Sequence, residues 1–349
     1  MNKYIAFAIF LFTLFPAVNI PYTHAENVKT AQPVRADNLL LLDAAYAGKS
    51  VVTVGERGQI LISTDNGTTW RQARSPTQAT LTALTFADAK NGWAVGHDAV
   101  ILRTSDGGEN WQQIYSAPDQ QKPLLDVWFK NALVGYAVGA YGSYYETRDG
   151  GNTWQQRKIL KDDMHINAIA GGTDGKLFIV GEAGTLYRSI DDGARWEELP
   201  SPYKGSFFGV LRLGSDSLLI FGLRGHIYRS EDFGQSWAAI ANGSQASLMG
   251  GNMLDVQSMV LVGYDGTVLS SHDQGKTFIH YKNRDSKALA AVLGKQQGTL
   301  LLFGEAGFSS LAALRASLSQ FPNHRDNQPE RRTGLRCVMS NRYSASSAA

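Results

Sequence analysis

Short alternating apolar stretches, separated by tight-turn residues, run through the body of this chain. In one repeat they are Leu81–Phe86, Trp93–Val95, Val100–Leu102 and Trp111–Ile114. Alternation with a period of two is typical of half-buried strands, and no window shows sustained helical periodicity. The pattern therefore predicts repeats of four short strands joined by tight turns.

One motif, Ser/Thr-x-Asp-x-Gly-x-x-aromatic (an Asp-box), recurs six times at a nearly constant spacing. Its Asp residues step by 41, 43, 42, 41 and 41 positions. A period of this length with four strands is the signature of a propeller blade. The motif begins at Ser63, Thr104, Thr147, Ser189, Ser230 and Ser271, with Asp65, Asp106, Asp149, Asp191, Asp232 and Asp273 at its third position.

A second motif, Gly-x-x-Gly, precedes each Asp-box by a fixed offset. It begins at Gly55, Gly139, Gly181, Gly222, Gly263 and Gly304, and in the second repeat Gly96 is followed by Ala99. Counted this way there are seven repeats, of which the last lacks its Asp-box and its fourth strand. One blade cannot bury both of its faces alone. The sequence thus predicts an all-β, seven-bladed β-propeller with four-stranded antiparallel blades over residues 38–314.

The two ends differ from the repeats. Residues 1–25 have a positive Lys3, an apolar stretch over 5–15 and small residues before position 26, which predicts a signal peptide and an exported, periplasmic protein. An uncleaved anchor is the alternative. Residues 26–37 are expected near the ring closure, and Asn27–Arg35 is a candidate outer strand for blade seven, although Pro33 limits it to an edge. Residues 315–349 are predicted to be a disordered basic tail.

Charge and cysteine content narrow the classes of function. The chain has a formal net charge of +2, but the basic tail contributes most of the positive charge, and the body is mildly acidic. A nucleic-acid partner is therefore not expected. Cys337 is the single cysteine, so no internal disulfide forms. No His, Cys, Asp or Glu spacing fits a metal site, and no cofactor fingerprint occurs. We expect a monomer without metal or cofactor.

The residue types of the Asp-box suit a structural turn. Its Asp accepts hydrogen bonds from backbone amides further along the turn, and its Ser or Thr hydroxyl closes the same loop. Its Gly takes a positive φ without a Cβ clash. Six carboxylates spread around a ring do not converge on one substrate, so we predict no catalytic residues among them.

The face formed by the turns between the second and third strands is the candidate binding surface. The glycines of these turns set a constant frame, while the residues between them vary. Solvated turns would vary as well, so this remains an expectation. In blade five, Ser206–Gly209 should begin the innermost strand, where one Phe is expected to face the core and the other the channel or a neighbouring blade. The candidate binding residues are Arg57, His97, Asp98, Tyr141, Glu182, Phe207, Phe208, Arg224, His226, Asp265 and Glu305.

The six Asp-boxes and the Val-Gly-x-x-Gly turns resemble the photosystem II stability and assembly factor family of Asp-box propellers. The resemblance covers residues 38–311, and stretches such as Leu124–Phe129 and Ser247–Gly251 are similar to its non-photosynthetic bacterial branch. In photosynthetic members the propeller helps to assemble a membrane protein complex and is not an enzyme. The resemblance implies a non-enzymatic assembly factor whose partner is a membrane protein or membrane-protein complex.

Other functions remain open. Some bacterial relatives are thought to accompany inner-membrane exporters, and a purely structural accessory is a third possibility. Sialidases share Asp-boxes, but this sequence has no Arg-Ile-Pro stretch. Glycoside cleavage also needs two carboxylates facing one bond. The candidate carboxylates lie on different predicted blades, at Glu56, Asp98, Glu182, Asp265 and Glu305.

Overall fold

The computed structural model of the chain describes residues 34–283, 285–295 and 298–312. Their strands form seven antiparallel sheets arranged around a central channel. Six sheets have four strands and the seventh has three. Apart from short 3-10 turns, no helix occurs in these ranges. The predicted all-β, seven-bladed propeller with four-stranded antiparallel blades is confirmed, and among the described residues the last blade has no outer strand of its own.

The innermost strand of each blade lines the channel, and the second strand is buried on both faces because it lies between two neighbouring blades. The innermost strands are β1 (Leu41–Ala47), β5 (Leu81–Phe86), β9 (Leu124–Phe129), β13 (Ile166–Gly171), β17 (Phe207–Arg212), β21 (Leu248–Met253) and β25 (Leu289–Lys295). The second strands are β2 (Ser50–Gly55), β6 (Gly92–Gly96), β10 (Gly135–Gly139), β14 (Leu177–Gly181), β18 (Leu218–Gly222), β22 (Met259–Gly263) and β26 (Thr299–Gly304).

The third strands of blades one to six end in the Asp-boxes, and most outer strands are only two residues long. The third strands are β3 (Ile60–Ser63), β7 (Ile101–Thr104), β11 (Tyr144–Thr147), β15 (Leu186–Ser189), β19 (Ile227–Ser230), β23 (Thr267–Ser271) and β27 (Gly307–Ala312). The outer strands are β4 (Arg71–Gln72), β8 (Gln112–Tyr115), β12 (Gln155–Gln156), β16 (Glu197–Glu198), β20 (Ala238–Ala239) and β24 (Ile279–Lys282). Such short edges give another chain little to pair with.

The hydrophobic core consists of layers between neighbouring blades. Each layer combines one face of a blade with the opposing face of the next, as in the layer between blades one and two. The layer that closes the ring joins Leu41 and Trp70 of blade one to Leu301 and Phe303 of blade seven. Since each sheet is covered on both faces only by its neighbours, a single blade has no stable fold by itself.

The segment before blade one also pairs with the last blade. Asp37 forms an antiparallel bridge with Gly307. The Asn38 amide donates to the Ala306 carbonyl at 3.1 Å, and the Phe308 amide donates to the Ala36 carbonyl at 3.0 Å. This pairing lies just after the predicted strand Asn27–Arg35, of which residues 27–33 are outside the described ranges. The predicted signal peptide, the tail and Cys337 are outside them as well.

The Asp-box hydrogen bonds follow the chemistry expected from the sequence. In the first box, the Ser63 hydroxyl donates to Asp65 Oδ1 at 2.8 Å and accepts from the Gly67 amide at 2.7 Å. Asp65 also accepts from the amide and the hydroxyl of Thr69, at 2.8 and 2.6 Å. Hydrogen bonds of this kind, from the side chain and amide of Thr153, lower the pKa of the equivalent Asp149 to about 2. These carboxylates therefore remain ionised and engaged in their turns.

The seventh blade differs from the others in the turn between its second and third strands. In blade six, Val262 pairs with Val268, and the intervening residues form a 3-10 turn. In blade seven, Phe303 pairs with Phe308 and Gly304 with Gly307, which leaves a two-residue turn. The sequence pattern Gly-x-x-Gly is the same in both blades. The seventh turn is thus tighter than the sequence indicated, and β27 is shifted by one residue relative to the other third strands.

Two glycines of blade five separate the effects of backbone strain and of packing. Gly234 of the Asp-box has φ +86°, and a Cβ there would lie 2.7 Å from Phe178 Cε2. Gly243 has φ +73° but no atom within 4 Å of its Cβ position. We predict that Gly234→Ala lowers the free energy of unfolding by about 2–4 kcal/mol, because left-handed strain adds to overpacking. Chemical denaturation of the variant and the wild type measures this difference in the free energy of unfolding.

Gly243→Ala is the matched control, and it should cost only about 1 kcal/mol because it adds the backbone strain alone. Equal losses for the two variants would show that the Asp-box glycine is not needed for close packing between the blades.

Candidate functional site

Six of the seven turns between second and third strands adopt the same conformation. They lie on one face of the ring, which we call the turn face. The amide of the first turn residue donates to the carbonyl just before the innermost strand of its own blade, for example from His97 to Thr80 at 2.9 Å. The second residue has φ between 53° and 59° and is exposed. These second residues are Arg57, Asp98, Tyr141, Ala183, Arg224 and Asp265.

The left-handed conformation is unfavourable for most of these residue types. It costs an L-residue about 1–2 kcal/mol, and only Gly, Asn and Asp adopt it routinely. Arg57, Tyr141 and Arg224 nevertheless occupy it with exposed side chains. Strain of this kind concentrates at functional sites. The turn face therefore presents large side chains at positions where glycine would cost less.

The remaining predicted residues of this face are distributed around the ring. Glu182 lies beside His165, with 3.9 Å between Oε2 and Nδ1, and Glu305 pairs with Lys287 at 3.3 Å. His97 and Asp98 are exposed in blade two, and Asp265 is exposed in blade six. These four carboxylates lie on four different blades, and no two of them face each other across a common point.

Aromatic rings cluster where blades three to five meet this face. The Tyr203 and His226 rings stack with their centroids 4.0 Å apart, and His226 also stacks on Tyr228 at 6.2 Å. The Tyr141 ring meets His165 edge-on at 4.9 Å. Tyr203 belongs to the link between blades four and five, where the sequence shows no repeat pattern, so sequence reasoning missed it. Arg224 is exposed two residues before His226, so the turn of blade five carries a cation and this aromatic stack at the same blade.

The two adjacent Phe residues of blade five point in opposite directions, as alternation along a strand requires. Phe207 is fully buried in the layer between blades four and five. It therefore contributes to packing and presents no surface to a partner. Phe208 lines the channel.

Polar side chains in the channel connect the innermost strands of blades one to five. Asp43 accepts from the Leu84 amide at 2.8 Å, and Asp126 accepts from the Ile169 amide at 2.9 Å. The other two links are donated by side chains. The Thr82 hydroxyl donates to the Leu124 carbonyl at 2.7 Å, and the Asn167 amide group donates to the Phe207 carbonyl at 2.8 Å.

Blades five to seven have apolar side chains at the inner-strand positions that correspond to Thr82 and Asn167. At the equivalent positions blades five to seven carry Phe208, Met249 and Ala290. Gly250 lets blade six approach blade seven closely, since a Cβ there would lie 2.1 Å from the Ala290 carbonyl oxygen. The side chains that link neighbouring inner strands therefore end at blade five, and Asn252 of blade six is a further polar residue of the channel lining.

Burial raises the pKa of both channel carboxyl groups to about 7. Their amide donors act in the opposite direction, and the Asp126 charge raises the pKa of Asp43 further. Both residues keep some contact with the channel. They differ in this from the Asp-box carboxylates, whose pKa values are lowered.

The described ranges contain no group of three His, Cys, Asp or Glu residues able to hold a metal ion. In the same ranges no helix has the length and apolar content needed to cross a membrane. The channel carboxyl groups accept hydrogen bonds from the ring's own backbone. They are therefore committed to joining neighbouring blades.

The ring of seven sheets with Asp-boxes defines an Asp-box β-propeller. The model of the "Photosynthesis system II assembly factor YCF48" family matches residues 69–122 and 115–294. The chain therefore belongs to this family. The assignment agrees with the resemblance found in the sequence, and it supports a binding role of the assembly-factor type.

Individual relatives are similar over shorter stretches or at low identity. "Photosystem II assembly protein Ycf48" from Thermosynechococcus vestitus is 40% identical over 43 residues, which span 12% of each protein. The solved structure "YCF48 bound to D1 peptide" has a TM-score of 0.66 and 18% identity, and the match covers 79% of this chain and 94% of that one.

The fold is shared with enzymes. Virginiamycin B lyase from Staphylococcus aureus has a TM-score of 0.68 and 13% identity, with 78% of this chain and 94% of that chain covered. At such identities the similarity shows the fold alone, because propellers support unrelated chemistries.

We predict that Arg224→Gly raises the free energy of unfolding by about 0.5–1 kcal/mol. The relief of left-handed strain exceeds the entropy that glycine adds to the unfolded chain. Asp265→Gly is the control and should change stability less, because Asp tolerates the same φ. Chemical denaturation compares both with the wild type, and a destabilised Arg224→Gly would show that the Arg224 side chain holds the turn together.

The channel carboxyl groups make stability depend on pH in a defined direction. A folded-state pKa near 7, above the unfolded value of 3.8, favours the protonated folded form. This contribution is complete below pH 3.8 and is lost as the pH rises to about 7. We predict that the stability difference between Asp126→Asn and the wild type moves in favour of the variant over that range. Denaturation at several pH values tests it, and a pH-independent difference would mean that Asp126 stays ionised.

Proposed function

We propose that this chain is an exported assembly factor that binds a segment of a membrane protein on its turn face. The observation that carries the proposal is the exposed, left-handed Arg224, which precedes by two residues the His226 ring that stacks on Tyr203. Family membership supports a binding role, and so does the similar solved structure "YCF48 bound to D1 peptide". The photosystem client itself is not carried over to this chain.

The chemistry of the surface indicates what kind of group it accepts. A guanidinium group presents a planar set of donors that matches a carboxylate, and an adjacent aromatic surface suits an apolar or ring-bearing side chain. Arg57 offers a second exposed cation in the same turn conformation. The proposed ligand is therefore an extended peptide segment that carries a carboxylate, either an acidic side chain or a chain terminus.

Export is the second part of the proposal. It is supported by the charged start, the apolar stretch over 5–15 and the small residues before position 26. A propeller released into the periplasm would meet the exposed segments of membrane proteins there. The alternative roles, as an exporter accessory or as an anchored protein, differ in the client and in whether the first 25 residues are retained.

The binding face can be tested by charge reversal. We predict that Arg57→Glu with Arg224→Glu abolishes capture of a membrane protein from detergent-solubilised membranes of the source cell. The melting temperature should stay nearly unchanged, because Glu occupies the same exposed turn positions. The control is Lys90→Glu with Lys276→Glu, which makes the same charge change at exposed positions beside the inner turns and the Asp-boxes on the opposite face.

Mass spectrometry identifies the captured protein, and synthetic peptides from it, with free and amidated carboxyl ends, locate the group that is recognised. Capture that survives the turn-face change, or that falls equally with the control, would refute this choice of face. Turnover of a fluorogenic sialoside panel by the purified chain would favour the hydrolase alternative instead.

A further inference from the structure

Every layer between blades except one contains the aromatic residue of an Asp-box. The box residue of each blade packs into the layer that faces the preceding blade, as Trp111 of blade two does against blade one. The layer between blades six and seven has no such residue in the described ranges, because blade seven has no box. The six box aromatics are Trp70, Trp111, Trp154, Trp196, Trp237 and Phe278.

An apolar slot lies where the missing aromatic would pack. In blade two, the box glycine Gly108 lies against Val52, with 3.1 Å between its Cβ position and Val52 Cγ2. Gly275 of blade six lies in the same way against Leu219 of blade five, 2.6 Å from Cδ1. The equivalent residue of blade six is Val260, three positions before Gly263. The slot is lined mostly by apolar side chains, among them Leu254, Val260, Val268 and Leu311, together with Ser270 and His272.

A polar atom in the slot also lacks a partner. The Ser270 hydroxyl is buried and forms no hydrogen bond with the part of the chain that the structure describes. A buried hydroxyl without a partner is costly, and a backbone amide or carbonyl of an entering segment would satisfy it. The slot thus has an apolar floor and one unused hydrogen-bonding group.

Strand pairing shows which residue of this chain would reach the slot. In each complete blade the box Ser or Thr ends the third strand, and the aromatic residue follows seven positions later. Thr104 pairs with Gly92 in blade two, and Leu311 pairs with Leu300 at the same place in blade seven. Seven positions after Leu311 is Leu318. In the other blades the box aromatic follows the last turn residue by twelve positions, as Trp111 follows Ala99. The same count from Gly307 would give Ser319, but β27 is shifted by one residue, so the strand pairing indicates Leu318.

We propose that residues 313–318 of this chain fold back over blade seven and place Leu318 in the slot between blades six and seven. The described chain ends at Ala312, directly after Leu311 in the slot wall, so its own continuation is present there at high effective concentration. Ala313 stands at the box Asp position and Arg315 at the box Gly position. The segment therefore lacks the hydrogen-bonded turn, and its docking is reversible.

Trypsin cleavage of the full-length chain tests the proposal. Arg315 lies inside the docked segment, whereas Arg331 lies further along the same tail and serves as an internal reference. We expect Arg315 to be cut about tenfold more slowly than Arg331, which corresponds to a segment docked for about nine-tenths of the time. Leu318→Asp should remove this protection, and Leu314→Asp, the matched control, should retain it.

A change in the slot itself gives a second readout. Ser270→Leu fills the slot from the ring side and should expose Arg315 without lowering the melting temperature. Equal cleavage at Arg315 and Arg331 in the wild type would overturn the proposal and leave the slot open to another molecule. Protection that persists in Leu318→Asp, or that is lost equally in Leu314→Asp, would overturn it as well.

Discussion

The burial of each blade's two faces by its neighbours is the constraint on which the rest of this structure depends. A second strand such as β6 (Gly92–Gly96) is buried along its whole length only because blades one and three cover it. No blade is stable without the next, so the ring must close. The Asp-boxes make this packing possible, since their glycines bring the turn of one blade against the side chains of the preceding one.

The residues that hold the ring together are therefore different from those that are exposed to a partner. The box carboxylates and the channel residues Asp43 and Asp126 are occupied by hydrogen bonds within the ring. The second residues of the turns on the turn face are exposed and contribute little to the core, so their side chains can vary. Arg57 and Arg224 occupy strained positions there without being needed for the core, which is the arrangement expected of a binding surface.

The ring is also less symmetric than its repeats. Blades one to five are joined in the channel by polar side chains, whereas blades five to seven carry Phe208, Met249 and Ala290 at the positions that correspond to Thr82 and Asn167. Blade seven receives its outer pairing from Ala36–Asn38 and has no Asp-box in the described ranges. Both departures include blade seven, which lies beside the residues where the described chain begins and which pairs with a segment outside the repeats.

The sequence by itself determined the class of fold, the number of blades and the structural role of the Asp-boxes. These follow from local chemistry that repeats: a Ser63 hydroxyl, an Asp65 carboxylate and a Gly67 with positive φ act within a few residues of one another. Because the same short-range interactions recur at a fixed period, they can be counted along the chain.

Only the tertiary structure decided which side chains meet. The stacking of Tyr203 on His226 joins a link to a turn 23 residues away, and the contact of Asp43 with Leu84 joins two blades. The strand β27 is shifted by one residue although the Gly304 motif has the same pattern as the others, and Phe308 at its start packs in the layer with blade one. Phe207 and Phe208 are adjacent residues of the same type. Only their position in the folded strand shows that Phe207 is buried between blades and that Phe208 lines the channel. Such outcomes depend on contacts between residues far apart in the chain, which no local pattern records.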